Sequence, residues 1–302
     1  VFRDAAYFAG DGAFGRELWK SDGTAAYQVK DILRGGNSAA PSSLRVVGDT
    51  LFFSADDGVH GRELWKSDGT AEGTVLVADV RAEIVQAANA GQFTQVDNLV
   101  YFTASDPLHG QELWVSDGTS AGTRLLKDIV SGGDGSSISW LTALGDQVLF
   151  SAYTLQNGTT LWRSDGTATG TRRLVNELRI PTELTVFQGA VYFAGYIVNY
   201  GRHLWKSDGT ADGTVLVKEV FLREGGWYQR GANPEFTEFG GYLFFAANDG
   251  QTGMELWRTD GTTDGTQLVK DLTDPGDPGS WSDPQGLVVA SNELYFSAWD
   301  PD

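Results

Sequence analysis

Four loops of this chain carry carboxylates at a spacing that could hold a divalent cation. Asp11 with Glu17, Asp57 with Glu63, Asp106 with Glu112 and Asp249 with Glu255 each flank a glycine-containing turn. Calcium takes roughly six to eight oxygens in a flexible cage, so each pair resembles half of such a site, although the spacing is not that of an EF-hand loop. The same residues fit a second chemistry, in which Asp closes the turn and Glu accepts hydrogen bonds from neighbouring backbone. His60 and His109 occupy one register of two consecutive loops, where the other copies carry Phe14, Asn157, Tyr200 and Thr252. Two imidazoles could share a metal or relay a proton. No nucleophile or third ligand accompanies them, and a solvent-facing register also explains the variation.

A second group is aromatic. The stretch 221–234 carries Trp227, Tyr228 and Arg230, and the Pro-, Gly- and Asp-rich stretch 273–284 carries Trp281. Aromatic rings in polar loops combine apolar area with a polar handle, which suits a sugar ring or a protein partner. The alternative is that they fold back over a sheet edge.

The elements that must position these residues are repeated. Trp19, Trp65, Trp114, Trp162, Trp205 and Trp257 recur every 43 to 52 residues, each followed three residues later by Asp22, Asp68, Asp117, Asp165, Asp208 or Asp260. Within the second copy the apolar runs are too short for helices and are bounded by Gly, Asp and Ser. They predict strands over 43–47, 51–55, 62–66 and 74–80. Asp followed by Gly suits a tight turn, because Asp bonds amides ahead of it and Gly accepts positive φ. Small antiparallel sheets with two apolar faces are covered best by radial repetition, which predicts an all-β, β-propeller fold of four-stranded blades in a single domain over 1–302. Each motif Trp is then a plug between neighbouring blades.

Seven aromatic or apolar pairs, from Tyr7-Phe8 to Tyr295-Phe296, mark seven second strands against six Leu-Trp strands. Seven blade positions are therefore favoured, with six and a spare hairpin as the alternative, because an unpaired apolar hairpin would leave an open edge. A seventh blade without its outer half suggests a piece of a longer protein. A start at Val1 without Met suggests a mature or trimmed chain.

The strings GRELWKSDGT at 15–24 and 61–70, QELWVSDGT at 111–119, HLWKSDGT at 203–210 and MELWRTDGT at 254–262 resemble the bacterial ELWxxDGT repeat family. The resemblance covers nearly the whole chain. It implies a secreted or cell-surface bacterial protein, with no particular activity. The turn also resembles the Asp-box hairpin of sialidase-type propellers in its local chemistry, without that motif's spacing or final Trp.

Composition narrows the function. A formal charge of -18 argues against nucleic acid and anionic membranes, whose recognition rests on clustered Lys and Arg. Cysteine is absent, which removes disulfides, thiolate metal sites and a cysteine nucleophile. No apolar run is long enough to span a bilayer. Nearly every carboxylate belongs to the repeat, so none stands out as a unique acid or base, and no phosphate loop or zinc signature appears. The expectation is a non-catalytic, extracellular, cell-surface or periplasmic module. It would engage a protein partner on its variable loop face. The alternative is a lectin-like propeller using Trp227, Tyr228 and Trp281, with calcium assisting; a glycosidase-like enzyme is a third, weaker reading.

Overall fold

A computed structural model describes residues 1–80, 88–197, 201–222, 235–272 and 281–300. Among them there is no helix, and the strands form seven antiparallel sheets. The second sheet is the simplest: Ser42–Val47, Thr50–Asp56, Arg62–Ser67 and Val75–Ala78 in sequential order. The strands expected over 43–47, 51–55 and 62–66 are present, each extended by a residue or two. The fourth is shorter than expected, and its pairing shifts register between Leu64 and Trp65. The first sheet (Ala6–Gly12, Gly15–Ser21, Ala26–Lys30) has three strands, and the last (Gln285–Ala290, Glu293–Ser297) has two.

Two compact units divide the chain. One comprises Val1–Val148, Ala152–Leu155 and Ser164–Thr171; the other comprises Leu149–Ser151, Gln156–Arg163 and Arg172–Asp302. The same packing rule builds both. Neighbouring residues of a strand point to opposite faces, so the Leu and Trp of each motif face different sheets. In the first unit Leu18 of the first sheet shares a core with Phe53, Ala55 and Trp65 of the second, and Leu64 shares one with Phe102, Ala104 and Trp114 of the third. In the second unit Leu204 of the fifth sheet packs with Phe245, Ala247 and Trp257 of the sixth. In these three pairs of neighbouring sheets the earlier one offers its Leu and the later one its Trp. A phenylalanine pairs across the strands with each of Trp19, Trp65, Trp114, Trp205 and Trp257, and the position diagonal to the indole is small: Gly10, Ala55, Ala104, Gly195 and Ala247. A Cβ on Gly10 would press into the Trp19 ring.

The Asp-Gly-Thr step is a turn wherever it occurs. Asp68 Oδ1 accepts the Thr70 amide at 2.9 Å and its hydroxyl at 2.7 Å, while Gly69 holds φ +92°. Asp22, Asp117, Asp208 and Asp260 repeat this geometry. In four copies the cation after the motif Trp ties one sheet to the next. Lys20 Nζ donates to the Gly69 carbonyl at 2.8 Å, Lys66 to Gly118 at 2.7 Å and Lys206 to Gly261 at 2.8 Å. The third sheet has Val115 at that register, and its cross-strand neighbour Arg124 supplies the cation, bonding Gly166 O at 2.9 Å.

Where the hairpin loop meets the segment leading to the next sheet, backbone lies against backbone. A Cβ on Gly110, at φ +65°, would fall on the main chain of 133–135. Gly110→Ala is expected to cost about 3 kcal/mol, from a left-handed backbone and a clash that no side chain can relieve. Gly48→Ala, at φ +54° in open space, is expected to cost about 1 kcal/mol. Urea melts of both variants check this; equal losses would mean the close approach is easily relaxed.

Candidate functional site

The hairpin loops separate the residues that the sequence pairs. In the second sheet Asp57 Oδ1 accepts the amides of Val59 and His60, both at 2.9 Å, and Oδ2 lies 2.7 Å from His60 Nδ1. Asp106 holds His109 identically, with Nδ1 at 2.7 Å from Oδ2. The paired carboxylate holds each imidazole's pKa above its ordinary value, while hydrogen bonds from the loop outweigh burial and lower both aspartates. Asp249 closes the sixth sheet's loop through Gln251, Thr252 and the Thr252 hydroxyl. Asp11 instead pairs with Arg16 at 2.8 Å, both exposed.

The glutamates turn the other way. Glu17, Glu63, Glu112 and Glu255 are wholly buried. Each clamps the segment that crosses to the following sheet. Glu17 accepts the amides of Ile32 at 2.9 Å and Ala39 at 3.1 Å; Glu63 accepts those of Val80 and Ala88. Glu112 accepts the Val130 amide at 3.1 Å and the Ser136 hydroxyl at 2.6 Å, and Glu255 accepts the amides of Leu272 and Ser282. Burial pushes the Glu112 carboxyl up to about 7 despite these bonds. The Asp and Glu of each pair serve different donors, and no group of three His, Asp or Glu that could hold a metal ion occurs among the described residues.

Two copies depart from the clamp in an informative way. Thr160 takes the Glu register in the fourth sheet and accepts the Trp162 indole N–H at 3.0 Å. His203 takes it in the fifth, with Nδ1 3.2 Å from the Val220 carbonyl, so a donor faces a carbonyl where the other copies place an acceptor before an amide. The motif tryptophans Trp65, Trp114, Trp162 and Trp257 are at most 9% exposed, as inter-sheet plugs require.

Of the aromatic candidates, Trp227, Tyr228 and Arg230 lie outside the described residues. Trp281 is 57% exposed, so it does not fold back into a core.

Sequence reading missed two features. The first is apolar. Phe14, Val59, Leu108 and Leu155, all in the first unit, stand at or beside the tips of four successive hairpin loops with exposures of 50%, 64%, 74% and 71%. Large aliphatic residues inside Asp-, Gly- and Asn-rich loops were the available signal. The second is a strained register on the first strand of the sheets. Ser43, Gln92, Trp140 and Glu183, together with Glu235 just before its strand, hold φ between 51° and 58°, a left-handed backbone that costs non-glycine residues about 1–2 kcal/mol. Gln92 reaches the Ile138 carbonyl at 2.8 Å, and Glu235 accepts the Leu287 amide at 3.1 Å. Glu183 is 7% exposed, lies 3.6 Å from Arg202, and has its pKa raised to about 7 by burial, against the pull of that guanidinium. It is a buried carboxyl able to hold a proton near neutrality. A second carboxyl lies beside it: the Glu235 amide donates to the Glu183 carboxylate, and the Glu235 charge adds to the upward shift.

No family model and no curated protein matches the chain. Solved structures do. A computationally designed protein, Ika8, aligns at TM-score 0.51 and 16% identity over 99% of this chain and 79% of its own. A puromycin-hydrolyzing peptidase of Mycobacterium tuberculosis aligns at TM-score 0.54 and 12% identity over 97% of this chain; this chain spans about half of the peptidase, 47%. At such identities the likeness is one of fold alone, a series of small antiparallel sheets.

Proposed function

We propose that this chain is a non-catalytic β-propeller of the ELWxxDGT type, secreted or held at a bacterial envelope, whose variable hairpin loops grip a protein partner. The sheets are its blades, with seven positions of which the last is a hairpin. The Leu-to-Trp packing between neighbouring sheets within each unit, and the likeness to propeller-type structures, support that architecture. The observation that carries the function is the run of exposed apolar tips Phe14, Val59, Leu108 and Leu155. Isolated exposed apolar residues are ordinary, but a series at one end of successive elements is what a partner's apolar surface covers. Loops held by a rigid scaffold are also where binding residues concentrate. The non-catalytic reading is supported by the glutamates and turn aspartates, whose oxygens are engaged in holding the fold.

The combined variant Val59→Asp, Leu108→Asp and Leu155→Asp tests this. Capture from a bacterial envelope extract should yield a protein retained by the parent chain and lost at least ten-fold by the variant, with melting temperature unchanged. Equal retention by both would remove the loop tips from the interface. A lectin-like reading draws on the exposed Trp281; for it, Trp281→Ala would abolish glycan retention while leaving protein capture intact.

A further inference from the structure

The Asp-Gly-Thr turns join the third strand to the fourth, at the end of the sheet opposite the hairpin loops. At that end clefts open between consecutive sheets. Two of them repeat the same chemistry in separate units of the chain. The first has a volume of about 400 Å³ and is lined by Arg3, Tyr7, Lys20, Asp22, Tyr27 and Asp68, so two cations face two carboxylates there. The second has a volume of about 380 Å³ and is lined by Gln188, Tyr192, Lys206, Asp208 and Asp260. The correspondence is one of register: Tyr7 lies opposite Lys20 across its strand pair, as Tyr192 lies opposite Lys206.

Each cleft keeps polar atoms unspent. The tyrosine hydroxyls sit beneath Gly69 and Gly261, where a Cβ would collide with them, and neither has a hydrogen-bond partner among the described residues. The four aspartates use Oδ1 for their own turns, which leaves Oδ2 as an ionised acceptor. Lys20 and Lys206 spend one proton on a glycine carbonyl and keep two. Tyr27 adds an aromatic wall that is 54% exposed.

We propose that these two tyrosine-bearing clefts each bind one ring of a neutral sugar. Opposed charges in one small space disfavour an anion, which meets two carboxylates, and a cation, which meets the lysine. Hydroxyl groups satisfy all of them: they donate to the aspartates, accept from the ammonium and exchange hydrogen bonds with the phenol. The apolar face of the ring lies against Tyr27 in the first cleft and against Val215 in the second, where Tyr192 is buried and offers only its hydroxyl edge. Both volumes fall in the range of roughly 300–1,000 Å³ usual for small-molecule pockets. A cleft between the second and third sheets is a built-in control, because it carries Phe52 in place of the tyrosine and encloses only about 210 Å³. This inference does not rest on the loop-face reading.

Calorimetry and saturation-transfer NMR on the full chain, with methyl glycosides of glucose, galactose, mannose and N-acetylglucosamine as probes, test it. The expected result is millimolar binding of at least one glycoside at two sites. Tyr7→Phe with Tyr192→Phe should weaken it at least ten-fold without lowering the melting temperature, since Phe52 shows that the fold accepts Phe at this register. Val59→Asp with Leu108→Asp should leave it unchanged, which separates failure here from failure of the loop-face reading. No binding of any glycoside, binding indifferent to the tyrosine variant, or preferential binding of Nα-acetyl-lysine amide would overturn the proposal.

Discussion

Glu17→Ala is expected to lower the unfolding free energy by about 3 kcal/mol, because two buried amides lose their acceptor and an unsatisfied buried donor costs roughly 1–3 kcal/mol. The donors are Ile32 and Ala39, at 2.9 and 3.1 Å from the two carboxylate oxygens. They bracket the segment between the first and second sheets, so the carboxylate closes that crossover as a cross-link would. Glu17→Gln keeps one oxygen acceptor and should lose about half as much. Urea unfolding with an unchanged m-value is the measurement. A loss below about 0.5 kcal/mol for Glu17→Ala, within the range of ordinary surface substitutions, would show that the crossover holds without its clamp. A melting point raised by calcium in the parent chain but not in Glu17→Gln would assign a metal-binding role to this residue.

The second large effect is on pH. Glu112 and Glu183 both have pKa values raised from 4.5 to about 7, burial being the first cause in each. A carboxyl that binds its proton more tightly in the folded state stabilises the fold fully below its unfolded pKa. That stabilisation is lost as pH rises through the folded pKa. Stability should therefore fall between about pH 4.5 and pH 7, by on the order of 2–3 kcal/mol for each group. Glu17 is raised in the same direction, and the raised imidazoles of His60 and His109 add to the loss on the alkaline side. The turn aspartates oppose it at lower pH. Thr24 hydrogen bonds hold Asp22 at about 2, so its contribution is present above its ordinary pKa and disappears as pH drops towards that value. The stability maximum is thus expected near pH 4.5 to 5, on the acid side for a protein. Urea melts at pH 4.5 and pH 7.5 decide it, with Glu112→Gln and Glu183→Gln each flattening the difference. A parent chain equally stable at both values would mean that these carboxyls are ionised and well compensated in the fold.

The local part of this structure was readable from local residues. The short apolar runs of the second copy gave its strands to within one or two residues, and Asp68-Gly69-Thr70 gave a turn, because alternation and turn chemistry are settled within a few positions of the chain. The seven hairpin pairs from Tyr7-Phe8 to Tyr295-Phe296 are seven strands in the structure for the same reason. The destination of Glu17 was not readable. Its donors lie 15 and 22 residues away, in a crossover whose path depends on how two sheets pack, and a carboxylate beside a glycine turn gives no hint of which way it points. Nor did Val115 announce that Arg124 would carry its inter-sheet bond, since that exchange exists only across a paired strand. The left-handed register of Ser43, Gln92, Trp140, Glu183 and Glu235 shares no side-chain type, and only the bulged strand exposes it. The repeat, its strands and its turns were legible along the chain, because short-range sterics and hydrogen bonds fix them. Tertiary structure alone decided which carboxylates are buried clamps, which apolar tips stay wet and where clefts open, because burial and partner choice are properties of packed sheets.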